Sequence, residues 1–316
     1  MLLEIQHETL LEHNAAITEA VNEVRLEPVT NEDQSCRFFA LTVEPNVEIS
    51  DYRDGFENQV HFFNVLAPHR TARIFGASIV ETHPRQPQFE TSSARYPLDA
   101  GEMALEAVSY LKLGGPIRAT PMLSGLLEEL RPENGAALAD VVLRVAKHLH
   151  SNFEYAPDVT LSSSPIDDVL EHRKGVCQDF SHLMIAVLRS FGIPARYVSG
   201  YLHRPSLESE SHAWCEAWFP DFGWCAWDPT NDCAANETHV KVAIGRDYTD
   251  VPPNRGVYRG TCKEQISVRV ETRELEALPA LSWQEELPEM QLPLTKLPSP
   301  AIVQPLRSGQ ALQQNQ

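Results

Sequence analysis

Residues 175–194, GVCQDFSHLMIAVLRSFGIP, form an apolar segment with a glycine near each end. Apolar residues recur in it at steps of three and four, which is the period of a helix with a buried face. Gly175 favours a turn before the segment, and Gly192 followed by Pro194 favours its end. We therefore predict a buried helix that begins at or beside Cys177.

A cysteine at the start of a helix is well placed for nucleophilic chemistry. The backbone N–H groups there and the positive end of the helix dipole favour a thiolate, and they can also donate to an oxyanion. The alternative is a buried, inert cysteine, which is the commoner fate of this residue type. The glycine turn beside Cys177 and the polar residues downstream favour the reactive interpretation.

Two polar residues after the helix complete a possible thiol site. His212 opens a strictly alternating segment that is typical of a strand, and Asp228 ends the next one. If residues 219–223, FPDFG, form the hairpin loop, Trp218 faces Trp224 and His212 lies diagonally across from Asp228 on one face. A loop one residue shorter would place the two polar side chains on opposite faces.

A thiol, an imidazole and a carboxylate are the parts of an acyl-transfer site. The imidazole removes the thiol proton, and the carboxylate orients the imidazole and stabilises its cation. We therefore predict that Cys177, His212 and Asp228 are catalytic. Taken separately, His212 could be a hydrogen-bonded core histidine and Asp228 a turn cap before Pro229.

Other candidates near the thiol have structural explanations. Asp179 could complement the helix dipole and His182 could simply pack, while Glu216 could be buried and paired or exposed. Four tryptophans lie within fourteen residues and fit hairpin packing slightly better than an apolar substrate cleft: Trp214, Trp218, Trp224 and Trp227.

A structural zinc site is disfavoured by the cysteine spacing. Cys215, Cys225 and Cys233 cluster near His212, but no pair of them has the two- to four-residue spacing of zinc ligands. No glycine-rich phosphate loop and no G-x-S-x-G motif occurs either. We therefore expect no metal and no cofactor.

Charge and cysteine usage limit the possible partners and the location. The net charge of −18 disfavours binding to nucleic acid or to anionic membranes. The N-terminus lacks the basic region of a secretory signal, and six cysteines in 316 residues do not make a dense disulfide framework. We expect a cytoplasmic protein with a peptide or protein substrate; its oligomeric state stays open.

The chain divides into three predicted regions. Residues 1–100 contain short β-rich segments between turns, which favours a sandwich, and residues 101–278 carry the thiol site. Residues 279–316 are rich in Pro, Gln and Leu without a period, and we expect a mobile tail. Within the second region, Ser164 is the predicted N-cap of a helix, and residues 244–260 are predicted to be a long polar loop.

Three segments together resemble the bacterial transglutaminase-like family, whose members are often described as cysteine proteases. They are GVCQDFSHLMIAVLRSFGIPARYVSGY, SHAWCEAWFPDFGWCAWDPTND and GRDYTDVPPNRGVYRG, and the N-terminal HET, EVRLEP and DGFENQVHFF resemble the β-rich domain that precedes the core in that family.

The resemblance implies an α+β fold, with an N-terminal β-sandwich followed by a papain-like, transglutaminase-like core. It implies that Cys177 is the nucleophile, His212 the general base and acid, and Asp228 the orienting carboxylate. Leu10 and Glu12 depart from the family's aromatic opening strand, and the tail has no counterpart in the pattern. The second oxyanion donor is unassigned, with Tyr155 as a guess.

Two classes of function remain open at this point. The first is a thiol-dependent enzyme that hydrolyses peptides or amides through a thioester, with an amine transferase as the variant outcome. The second is a non-catalytic binding module on the same fold. Because all three triad residues are present, the enzyme is the preferred hypothesis.

Overall fold

The computed structural model describes residues 1–83, 91–157, 159–160, 164–205 and 211–279. Met1–Glu276 form one compact unit. The predicted mobile tail therefore lies, apart from its first residue, outside the described residues.

The helices and the strands are each numbered in chain order. The helices are α1 (Leu105–Val108), α2 (Pro121–Leu130), α3 (Leu138–Asn152), α4 (Ile166–His172) and α5 (Cys177–Ser190). The strands are β1 (Leu2–Ile17), β2 (Glu19–Val24), β3 (Gln34–Glu44), β4 (Ile49–Arg53), β5 (Gln59–Val65), β6 (His69–Thr82), β7 (Glu154–Tyr155), β8 (Lys174–Gly175), β9 (Ala195–Leu202), β10 (Ser211–Phe219), β11 (Gly223–Asp228), β12 (Cys233–Ala234), β13 (His239–Gly245), β14 (Asn254–Arg259) and β15 (Glu264–Glu274).

The N-terminal region contains two antiparallel four-stranded sheets, with the orders β15-β1-β6-β3 and β14-β2-β5-β4. Alternation places one face of each strand inward, and apolar residues from both sheets form a shared core that includes Leu11, Val24, Phe63 and Ile74. The fold is α+β with β-rich sheets before the core, which confirms the predicted class.

The last two strands return to the N-terminal sheets. In β15, Glu274 pairs with Leu3 of β1, and in β14, Asn254 pairs with Val24 of β2. The prediction of a polar loop over residues 244–260 is therefore wrong at both ends, where residues 244–245 belong to β13 and Asn254–Arg259 form β14. Strand β14 lies at the edge of its sheet and is mostly exposed. Its residues are therefore largely polar and lack the apolar alternation that predicts a strand. The predicted boundary between the first region, residues 1–100, and the second region, residues 101–278, stays a prediction.

The central sheet of the second region is antiparallel, with the order β12-β11-β10-β9-β13. Helix α5 packs on β9 and β10, and α3 packs on α5. Nearly every α5 residue is buried, so burial of this helix organises the core around it. The helix boundaries confirm the start at Cys177 and the end before Gly192, which has a φ of +75°.

One predicted helix start is displaced. Helix α4 begins at Ile166, and its N-cap is Pro165 in an extended conformation rather than Ser164. Asp167 and Asp168 lie in the first turn, where acidic groups complement the helix dipole without a capping hydroxyl. In the part of the chain that the structure describes, no helix is both long and apolar enough to cross a bilayer.

Candidate active site

The start of α5 is held by a side chain from its own first turn. Asp179 Oδ2 accepts hydrogen bonds from the Val176 N–H at 2.8 Å and from the Thr160 hydroxyl at 2.6 Å. A Cβ on Gly175 would lie 2.7 Å from that same oxygen, so the glycine makes room for the contact. These contacts fix the turn that presents Cys177 as the first helical residue.

The backbone at Cys177 is arranged as the sequence predicts. Asp179 and Phe180 donate the first hydrogen bonds to the Val176 carbonyl, so the N–H groups of Cys177 and Gln178 precede the first closed turn. The Cys177 side chain is partly buried rather than sealed inside the core. The thiol therefore lies at the positive end of the helix with access to its surroundings.

The hairpin of β10 and β11 has the predicted register. Trp218 pairs with Trp224 as predicted, but Phe219 also pairs with Gly223, so the turn contains only the three residues 220–222. This pairing places His212 and Asp228 on one face, where His212 Nε2 lies 2.7 Å from Asp228 Oδ2. The predicted register is therefore confirmed, whereas the predicted five-residue loop is wrong, because its two outer residues belong to the strands.

His212 joins the thiol to the carboxylate. Its ring is buried, and burial alone lowers the pKa of a histidine, but hydrogen bonds with Asp228 and with Cys177 outweigh burial and raise the pKa of His212 to about 10. Because Nε2 is engaged by Asp228, Nδ1 is the ring nitrogen that remains for the thiol. The structure thus brings together the three residues that the sequence singled out.

Asp228 is fully buried and receives hydrogen bonds on both oxygens. Oδ1 accepts from the backbone N–H groups of Thr230 at 2.9 Å and Asn231 at 3.2 Å, and Oδ2 accepts from the Asn231 side-chain amide at 2.6 Å. Burial raises the pKa of this carboxyl, but the hydrogen bonds from His212, His239 and Asn231 hold the pKa far below its ordinary range. Asp228 is therefore ionised at neutral pH.

A second histidine shares the same carboxylate oxygen. His239 Nε2 lies 3.2 Å from Asp228 Oδ2, and its Nδ1 accepts the Asn236 N–H at 3.2 Å. Since Nδ1 is an acceptor, the neutral ring carries its proton on Nε2 and donates it to Asp228. Trp214 packs edge-on against His239, with ring centroids 5.3 Å apart, and so limits the movement of the ring.

The same three groups are close enough to hold a metal ion. One ligand atom each of His212, Asp228 and His239 lies within 4.8 Å of the others. This set differs from the cysteine cluster considered above, since Cys215 and Cys225 are buried thiols outside it. The contacts among His212, Asp228 and His239 are also those expected of a carboxylate that accepts hydrogen bonds from two imidazoles. The geometry therefore fits hydrogen bonding without an added ion.

The weaker candidates have structural roles. His182 is buried, burial lowers its pKa to about 3, and its Nε2 accepts the Tyr248 N–H at 3.1 Å. Glu216 is buried and paired with Arg196, at 2.6 Å, and with Lys241. Trp214 is fully buried in a small apolar cluster, which fits the packing interpretation of the tryptophans.

A cavity of about 270 Å³ adjoins the imidazole of His212. Its other lining residues come from β7, the end of β9 and the segment just after it, the start of β10 and the turn after β11: Tyr155, Leu202, Arg204, Ser211, Thr230 and Asn231. A larger cavity of about 510 Å³ lies among residues of the N-terminal sheets, and no triad residue lines it. Of these two cavities, the smaller one lies beside His212.

Comparison with known proteins shows which family the chain belongs to. Residues 126–229 match the family model of the transglutaminase-like superfamily, and residues 3–81 match the bacterial transglutaminase-like N-terminal region. An uncharacterized protein of Mycobacterium leprae is 32% identical over 285 residues, covering 86% of this chain and 99% of that protein. The chain belongs to the bacterial transglutaminase-like family. The predicted resemblance is thereby confirmed.

Two further proteins are similar to this chain, one in sequence and one in structure. A protein-glutamine gamma-glutamyltransferase of Pseudomonas aeruginosa is 31% identical over 161 residues, which is 46% of this chain and 24% of that enzyme. The structure of a proposed cysteine protease from Cytophaga hutchinsonii superposes with a TM-score of 0.70 at 21% identity, covering 88% of this chain and 93% of that one. The latter similarity shows a shared fold.

Two residues of the site were missed by sequence reasoning. Asn231 lies three residues after Asp228, and the turn signal DPTND could have suggested that its side chain folds back onto the carboxylate. His239 had no such signal, because it comes from β13 on the far side of β9. Tyr155 lies in the cavity wall, and its suggested role as an oxyanion donor stays a prediction.

Proposed function

We propose that this protein is a thiol-dependent acyl-transfer enzyme that hydrolyses peptide or amide bonds, with Cys177, His212 and Asp228 as its catalytic residues. One observation carries the proposal: the buried His212 ring interacts with the thiol of Cys177 and with the ionised carboxylate of Asp228. Nucleophile, base and orienting group are then linked in the order that thiol catalysis needs.

In the first half-reaction, the proton of the Cys177 thiol already lies on His212 Nδ1, because the raised pKa of the imidazole favours a thiolate–imidazolium pair, and the Sγ thiolate attacks the substrate carbonyl carbon. Backbone N–H groups at the start of α5 are placed to donate to the resulting oxyanion. The bond from carbon to the leaving nitrogen breaks, and His212 gives its proton to the departing amine. Asp228 stabilises the imidazolium that exists between these steps.

In the second half-reaction, an acceptor attacks the thioester. His212 removes a proton from water as water attacks, and the products are a carboxylic acid and the free thiol. We propose water as the ordinary acceptor and a peptide or protein as the substrate, without nucleic acid, membrane or cofactor. The cytoplasm is the proposed location, since the nucleophile works in its reduced form and all six cysteines are free thiols.

A primary amine is the alternative acceptor. The 31% identity to a protein-glutamine gamma-glutamyltransferase favours this second candidate, although the chain spans only 24% of that enzyme. The chemistry up to the thioester is the same in both cases. A binding module without catalysis is the third candidate.

One experiment separates these functions. Peptides and glutamine-containing donors are incubated with the full chain, with and without a labelled primary amine, and the products are identified by mass spectrometry. New peptide termini indicate a protease, ammonia release with a one-dalton gain indicates deamidation, and label incorporation indicates a transferase. If none of these products forms, or if Cys177→Ala retains full activity, the proposed thiol enzyme is wrong.

A further inference from the structure

The cavity beside His212 carries a positive charge that the proposed chemistry does not use. Arg204 lies just beyond the end of β9 and lines the cavity together with His212 and Asn231. Its guanidinium donates to the side-chain oxygen of Asn231 at 2.8 Å. Among the residues that the structure describes, no carboxylate forms an ion pair with Arg204, and none lines this cavity.

This arrangement is unusual for a protein with a net charge of −18. Acidic side chains outnumber basic ones by 44 to 26, so a cavity whose described lining includes an arginine and no carboxylate stands out. The rest of the cavity wall includes the hydroxyl-bearing residues Ser211 and Thr230, which can also donate hydrogen bonds to an anion. The wall as a whole is therefore suited to a carboxylate rather than to a cation.

The position of Arg204 is linked to the triad through one amide. Asn231 accepts from Arg204 with its side-chain oxygen and donates to Asp228 Oδ2 with its side-chain nitrogen, at 2.8 and 2.6 Å. The amide thus holds the guanidinium next to the site while it separates it from the charge of Asp228. A guanidinium held in this way loses little side-chain freedom when it binds a carboxylate.

From this geometry we propose that the cavity is a specificity subsite for an acidic side chain or a free carboxylate, close to the bond that Cys177 attacks. The proposal rests on the proposed function, because it names the substrate class of the same site. The substrates are peptides or amides with a negatively charged group within two residues of the reacting carbonyl. The carboxylate would accept hydrogen bonds from Arg204 and from the hydroxyl groups of the wall.

The test uses matched peptide pairs with the full chain. Each pair carries Glu or Gln at one of the two positions on either side of the reacting bond, so the members differ in charge and not in size. We expect kcat/KM to favour the Glu member by about ten- to a hundredfold for at least one position, as for a charge-assisted hydrogen bond. Added salt should reduce this preference.

Variants of Arg204 locate the preference. In Arg204→Gln the Glu-to-Gln ratio of kcat/KM should fall towards one, and in Arg204→Glu it should shift to favour Lys over Gln. Arg204→Lys keeps the charge and should retain part of the ratio. The matched control is Arg269→Gln, an exposed arginine on β15 that should keep the ratio of the unmodified chain.

The outcomes separate this proposal from the proposed function. Cleavage without charge preference, or a preference that survives in Arg204→Gln, overturns the subsite while the thiol enzyme stands. If no peptide reacts, equilibrium binding of the same pairs to the Cys177→Ala chain still decides the matter. Tighter binding of Glu peptides that depends on Arg204 supports the subsite, and equal binding of both members overturns it.

Discussion

His239 and Asp228 are joined by a hydrogen bond from Nε2 to Oδ2, at 3.2 Å, on the same oxygen that His212 contacts at 2.7 Å. Nδ1 of His239 accepts the Asn236 N–H, so the ring is held as a donor to the carboxylate. With Asn231 as a further donor, Asp228 is ionised and fixed in one orientation. His239 is therefore a candidate positioning residue for the His212 imidazole.

Removing the His239 donor should lower catalysis more than it lowers stability. We expect His239→Leu to reduce kcat/KM by roughly ten- to a hundredfold, since a hydrogen bond to a charged group contributes about 1.5–3 kcal/mol. His239→Gln retains an amide donor and should recover part of the activity. Steady-state kinetics and thermal unfolding of both variants measure the two effects separately.

A buried histidine elsewhere provides the control for this prediction. His7 is also buried, and its Nδ1 contacts the Tyr201 hydroxyl at 3.0 Å, outside the triad. His7→Leu should change the unfolding temperature while it leaves kcat/KM near the unmodified value.

A chelator test could contradict the positioning role of His239. If a chelator inactivates the unmodified chain, and zinc restores activity only while His239 is present, then His212, Asp228 and His239 hold a metal and the positioning account is wrong.

The turn before Cys177 should be intolerant of a single methyl group. In Gly175→Ala the new Cβ would lie 2.8 Å from Asp179 Cβ, which forces Asp179 away from the Val176 N–H. We expect a loss of about 1–3 kcal/mol in unfolding free energy, as for overpacking, and a fall in kcat/KM because the thiol shifts. Urea unfolding and peptide kinetics measure the two changes.

Another glycine gives a matched comparison for that substitution. Gly125 lies inside α2 with no atom within 4 Å of an added Cβ. Gly125→Ala should leave kcat/KM unchanged and stabilise the chain by up to about 1 kcal/mol, through helix propensity. Equal effects of the two substitutions would contradict the role assigned to Gly175.

The buried ion pairs of Glu216 predict a specific dependence of stability on pH. Burial raises the pKa of this carboxyl, but Arg196 and Lys241 outweigh burial and lower it to about 2. A carboxyl with a lowered pKa in the folded state stabilises the fold fully above its unfolded pKa of about 4.3. That stabilisation declines as the pH falls from there towards 2.

Glu216→Gln tests this dependence. At pH 7 the variant leaves Arg196 and Lys241 buried without their counter-charge, and we expect a loss of about 3–5 kcal/mol in unfolding free energy. The difference from the unmodified chain should shrink below pH 4, as measured by urea unfolding at several pH values. Glu271→Gln, at an exposed pair with Arg269, should change stability by less than about 1 kcal/mol at any pH.

Local patterns were sufficient for the centre of the site. The glycine before Cys177 and the apolar period after it located α5, and strict alternation placed His212 and Asp228 on one face once Trp218 was paired with Trp224. These features depend on residues close together in the chain, where helix and strand periods act directly.

Features that depend on the order of strands were not accessible in this way. His239 reaches Asp228 only because β13 pairs with β9, and β15 joins the N-terminal sheet only because it pairs with β1. The pairing of Leu3 with Glu274 joins the two ends of the described fold, and no local period encodes it. Arg204 likewise has no local sequence signal, because its proposed role depends on the cavity that it lines.

The most direct test of the account measures whether His212 activates Cys177. The chain is alkylated with limiting iodoacetamide at pH 7, and peptide mapping gives the rate at each of the six cysteines. We predict that Cys177 reacts at least about tenfold faster than the other five, and that His212→Ala removes this advantage while the fold is retained. A Cys177 rate that equals the others, or that is unchanged in His212→Ala, would contradict the proposed mechanism.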